Sequence, residues 1–215
     1  MQRIQIQIQI ERKTIIADIS DLKKSETMAS FNYTSTQHSS AYPAIDASSP
    51  ELSQAGRAVL ITGASFGLGF AAMQGFARAS ASRIILLGRR PDALVSACER
   101  LRAQNPSFQG ELITYSCDIG DESRVAEVWG DLNQKAIAVD VMILSAIDPG
   151  AEGNLDALPL QRIWKMYEVN VRGNLDMTQR FVQQGKTANF GGRKVRGTVS
   201  VKPFDLKMLI HNREL

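Results

Sequence analysis

The chain has 215 residues, enough for one domain with a full core, and its 44% apolar and 22% charged residues are ordinary for a globular protein. The net charge of +3 is too small to point to nucleic acid. No run of about 18 apolar residues occurs and the N-terminus lacks the apolar core of a secretory signal, so neither a membrane span nor a leader is expected. Cys98 and Cys117 fall in or near regular elements and read as small buried thiols of a reducing compartment, which places the chain in the cytoplasm.

In chain order, residues 1–27 open with Ile4, Ile6, Ile8 and Ile10 alternating with glutamines. That pattern fits a strand with one apolar face, or an association-prone segment. Met28 starts a different composition, rich in Ser, Thr, Asn and Gln, and reads as the natural start, with 1–27 a non-native extension and 28–55 a flexible arm. The next domain is expected over 56–182 and a divergent basic tail over 183–215, where seven Lys/Arg face two Asp/Glu.

Strands are expected at Arg57–Thr62, Arg83–Gly88, Glu111–Ser116 and Val139–Leu144, and the first two carry continuous apolar runs of the kind buried on both faces of a parallel sheet. Helices are expected at Gly67–Ala79, Asp92–Gln104, Ser123–Lys135 and over most of Leu155–Val182, with Pro159 allowed only near the start. Alternation of this kind predicts an α/β fold: a doubly wound, Rossmann-type parallel sheet with helices on both faces, incomplete at its C-terminal side.

The first strand runs into Thr62-Gly63-Ala64-Ser65-Phe66-Gly67-Leu68-Gly69. Glycines there allow a sharp turn and a close approach of phosphate to backbone, and the N–H groups of the following helix favour an anion. The same spacing also suits a plain strand-to-helix turn. Gly88-Arg89-Arg90 closes the second strand, and guanidinium groups at that point suit a ribose 2′-phosphate.

With these residues in order, the sequence resembles the short-chain dehydrogenase/reductase family over about residues 50–182. Thr62-Gly63-x-x-x-Gly67-x-Gly69 is similar to the family's cofactor turn, Asp118-Ile119 to its adenine-side acidic segment, and Asn170-Val171-x-Gly173 to its N-x-x-G segment. The resemblance implies NADP(H) in preference to NAD(H), held by Thr62, Gly63, Ser65, Gly67, Leu68, Gly69, Arg89, Arg90, Asp118, Ile119 and Ser145. It also implies hydride transfer to or from a small carbonyl or alcohol substrate, with Asn170 helping to hold a proton-relay water.

Several features depart from the family. Phe66 stands where many NADP-preferring relatives carry a basic residue. Leu144-Ser145-Ala146-Ile147 replaces the usual N-x-A-G. The catalytic Tyr-x-x-x-Lys is absent, because Gln37, Asp46, Ile119 and Val171 follow the four tyrosines at that spacing. Thr198-Val199-Ser200 fits a degraded fifth strand that would bring Ser200 near the family's catalytic serine. Asp205, Lys207 and His211 show no triad or metal spacing, so no metal is expected. Two alternatives follow: a non-catalytic NADP-binding module, or an inactive fragment of an ordinary reductase. Loss of later strands and helices would leave an open sheet edge and a partly uncovered helix, and with them a tendency to self-association.

Overall fold

Residues 42–150 and 157–184, and the backbone of 199–201, are described by a computed structural model. Residues 1–27, the first half of the arm (28–41) and most of the basic tail lie outside them. From Pro43 onward the chain forms one unit. The part of the arm that is described carries two short 3-10 turns, Pro43–Ile45 and Pro50–Leu52, and is tied down where Gln54 N–H donates to the Ala79 carbonyl at 2.7 Å.

The sheet contains β1 (Ala58–Thr62), β2 (Arg83–Gly88), β3 (Glu111–Ser116), β4 (Val141–Leu144) and β5 (Val199–Val201). Their order is β3-β2-β1-β4-β5 and every pairing is parallel. The chain works outward from β1 to β3, crosses over, and continues outward from β4. Order therefore reverses between β1 and β4, and a crevice opens at the carboxyl ends of the strands.

Helices α1 (Gly67–Arg78) and α2 (Pro91–Gln104) cover one face, and α3 (Glu122–Gln134) and α5 (Asn174–Gln184) the other. Strand residues alternate between the two cores. Val59, Ile61, Ile84 and Leu86 pack with Met73 of α1 and Leu101 of α2. Leu60, Ile85, Leu87 and Met142 pack with Val128 and Leu132 of α3 and with Met177 and Phe181 of α5. This is why β1 and β2 read as unbroken apolar runs: each side chain enters one core or the other, at roughly 1.5–3 kcal/mol per large residue.

Two elements differ from the sequence expectation by more than one residue. β4 begins at Val141, two residues late, because the side-chain amide of Gln184 takes both backbone groups of Val139, at 2.9 Å and 2.8 Å. The long helix is also broken. It starts as α4 (Leu160–Tyr167), after extended Pro159, and passes through a π-helical turn over Glu168–Gly173 before α5. That turn presses Gly173 against β3's exit, where a Cβ would lie 2.4 Å from the Ile119 carbonyl oxygen. Along this region Leu160, Trp164, Tyr167, Val171, Leu175 and Val182 remain 43–62% exposed.

Candidate functional site

The glycine turn leaves β1 through Thr62, which is fully buried. Its Oγ1 accepts from the N–H groups of Ser145 and Ala146, both at 3.0 Å, and so binds β1's exit to β4's exit. Gly63 has φ +65°, and a Cβ on it would meet Ala146 Cα at 2.8 Å. Gly67 also has positive φ, +55°, but faces open space. Gly69 has an ordinary φ, yet its Cβ would fall 2.3 Å from the Gly63 carbonyl oxygen. The three glycines therefore have three different reasons: a turn against β4's exit, a left-handed residue, and close helix–turn packing.

Helix α1 starts after Phe66, and no side chain caps it. Its first N–H groups and the positive end of its dipole are left facing an open groove. The groove, about 290 Å³, is lined by Gly63, Ser65, Phe66, Gly67 and Leu68 from the turn. Arg89 and Arg90 line it from β2's exit, Cys117, Asp118 and Ile119 from β3's exit, and Ser145, Ala146 and Ile147 from β4's exit. Nine of the sequence-nominated residues thus share one crevice. Thr62 and Gly69 stand behind it as supports.

Asp118 Oδ1 accepts from Gly120 N–H at 2.9 Å, and its Oδ2 lies 3.4 Å from Lys165 Nζ. Burial pushes the Cys117 thiol up to about 11, so it lines the groove as a neutral group. Arg89, Arg90 and Arg100 make no ion pair with a carboxylate among the described residues.

Asn170 does not line the groove. Its side chain clamps the backbone of Asp148, accepting from Asp148 N–H at 2.9 Å and donating to its carbonyl at 2.8 Å. Its own carbonyl, within the π turn, accepts from Asn174 Nδ2 at 2.8 Å. Asp148 is buried, and its carboxylate takes both ends of the Arg162 guanidinium at 2.7 Å and 2.6 Å. Those bonds hold its carboxyl below the usual aspartate range, against the opposing effect of burial. Asn170, Asp148 and Arg162 together fix the segment that carries Ser145, Ala146 and Ile147. Asp148-Pro149-Gly150 has the composition of a turn, but nothing in the sequence pairs it with Arg162. Ser200 lies in β5, its backbone opposite Ile143 of β4.

Among the described residues, no tyrosine lines the groove. Tyr115 donates instead to Asp131 at 2.5 Å, and burial, followed by that bond, raises its pKa.

Against this geometry, the family model described as short chain dehydrogenase matches residues 57–196. The chain belongs to the short-chain dehydrogenase family. Among relatives, "Short chain dehydrogenase/reductase AacuD" of Aspergillus aculeatus is 29% identical over 149 residues, covering 69% of this chain and 50% of that protein. "Short chain dehydrogenase pigC" of Monascus ruber is 31% identical over 158 residues, covering 71% and 50%. The chain thus spans about half the length of the curated relatives it matches. Among solved structures, YwfH, an NADPH-dependent reductase involved in bacilysin biosynthesis, has a TM-score of 0.55 at 22% identity, covering 66% of this chain and 52% of that one. L-sorbose reductase from Gluconobacter frateurii, complexed with NADPH and L-sorbose, has a TM-score of 0.52 at 22% identity, covering 60% and 48%. At that identity they show the fold alone, a Rossmann-type sheet.

Proposed function

We propose that this chain is the cofactor-binding half of an NADP(H)-dependent oxidoreductase acting on a small carbonyl or alcohol. One observation carries the reading: the uncapped start of α1 faces the same crevice at the sheet's switch point as Arg89 and Arg90, which pair with no carboxylate among the described residues. A pyrophosphate fits the glycine turn, where the space beside Gly67 is open and Gly63 and Gly69 let the turn close tightly behind it. A 2′-phosphate fits the two arginines, and Asp118 suits the adenine side. When bound, the nicotinamide would supply or accept the hydride. This chain's residues would bind and orient it, with Ser145 and Ala146 backing the reacting end.

Calorimetric titration of the chain with NADPH and NADH tests this. Arg89→Ala is expected to weaken NADPH about tenfold or more and to leave NADH nearly unchanged, since a charge-assisted bond is worth ~1.5–3 kcal/mol. Equal affinity of the parent for the two cofactors would refute NADP selectivity.

The groove also favours a second reading, binding without turnover. Among the described residues that line it there is no tyrosine to donate a proton, and a positioned acid contributes roughly 10²–10⁴ in rate. Robust reduction of a simple ketone by the chain with NADPH would exclude it.

The exposed stripe from Leu160 to Val182 supports self-association with a second copy. Sedimentation velocity is expected to show mass rising with concentration. Trp164→Glu, at a side chain 59% exposed, should abolish that rise without unfolding the chain. A parent that stays monomeric throughout would rule the idea out.

A further inference from the structure

Phe66 stands at the rim of the groove, 56% exposed, and two cations lie against its ring. The guanidinium carbons of Arg90 and Arg100 are each 5.4 Å from its ring centre. They come from different places, Arg90 from the end of β2 and Arg100 from the third turn of α2. Arg100 is itself held from behind, 4.2 Å from the Phe70 ring centre, and it donates through Nη2 to the Ser65 carbonyl at 2.5 Å. Its Nε is buried without a hydrogen-bond partner among the described residues.

A ring's negative face is the counter-charge to both guanidinium groups, since no carboxylate among the described residues pairs with either. Gathering like charges about one neutral ring costs free energy that an anion beside them would recover. The ring also fixes Arg90, whose long side chain would otherwise have to be ordered when a ligand binds.

We infer that Phe66 and Arg100 are positioning residues for cofactor selection: Phe66 holds the Arg90 guanidinium ready for a ribose 2′-phosphate, and Arg100 holds Phe66 and the Ser65 carbonyl in place. The inference rests on the reading of the groove as an NADP(H) site. It assigns selectivity to a stack of side chains, one of which, Arg100, does not line the groove.

The experiment measures NADPH and NADH affinities of the full chain by calorimetry for the parent, Phe66→Ala, Phe66→Tyr and Arg100→Gln, with the fold of each checked by circular dichroism. Phe66→Ala and Arg100→Gln are expected to weaken NADPH about five- to tenfold and to change NADH by less than about twofold, in line with one or two cation–π contacts. Phe66→Tyr keeps the ring and should keep the ratio. A merely structural role would weaken both cofactors alike, and that outcome overturns the inference, as does an unchanged ratio in both variants. If Arg89→Ala lowers the ratio while Phe66→Ala and Arg100→Gln do not, the groove reading stands and the positioning role fails. If the parent shows no preference for NADPH, both fail.

Discussion

Gly69→Ala is expected to abolish measurable NADPH binding and to destabilise the chain by about 3 kcal/mol, at the upper end of overpacking costs. The added methyl would lie 2.3 Å from the Gly63 carbonyl oxygen, 2.9 Å from its carbonyl carbon and 3.1 Å from Ala64 Cα. All three are backbone atoms, so no side chain can rotate away. The strain must move α1 off the turn, and with it the N–H groups that face the groove. Gly67→Ala provides the contrast. Its methyl meets nothing within 4 Å, and the cost is the left-handed φ of +55° alone, about 1–2 kcal/mol. Urea denaturation and calorimetric titration of both variants should rank Gly69→Ala well below Gly67→Ala. Equal stability of Gly69→Ala and the parent would show that the turn is not packed this way.

Asp148→Ala should cost about 2–3 kcal/mol at neutral pH, because it leaves Arg162 without the carboxylate that takes both its ends. The side chain of Asp148 is only 7% exposed, so water replaces little of what is lost. The same pair gives a pH signature. The carboxyl is held low in the folded chain, first by the Arg162 hydrogen bonds and then, against burial, by Gly150 N–H. A group depressed on folding stabilises the fold above its unfolded pKa of about 4 and loses that contribution as pH falls through the lower folded value. The stability gap between the parent and Asp148→Asn is therefore expected to be full at pH 7 and to shrink steadily below about pH 4. A gap that is independent of pH would mean that the carboxylate charge is not what holds the segment. Because Ser145, Ala146 and Ile147 line the groove and precede Asp148, weaker NADPH binding should accompany the loss.

The sequence by itself determined the sheet and the turn. Runs such as Ile84-Ile85-Leu86-Leu87 specify a strand buried on both faces, and Gly63, Gly67 and Gly69 between a strand and a helix specify a tight turn, because periodicity and backbone freedom are local properties. Arg89 and Asp118 could be placed at strand exits for the same reason. Residues 1–27 and almost all of 183–215 carried sequence expectations that lie outside the described residues. What only the tertiary structure decided is which long side chains meet. Arg100 reaches a turn 35 residues earlier, Asp148 finds Arg162, Gln184 ends β4 early, and Asn170 holds Asp148. None of these has a sequence period or a fixed spacing. Each depends on where the packed helices put a flexible side chain, and packing is a property of the whole core. Phe66 shows the difference most clearly. In the sequence it is a missing cation, and in the folded chain it is the surface on which two arginines meet.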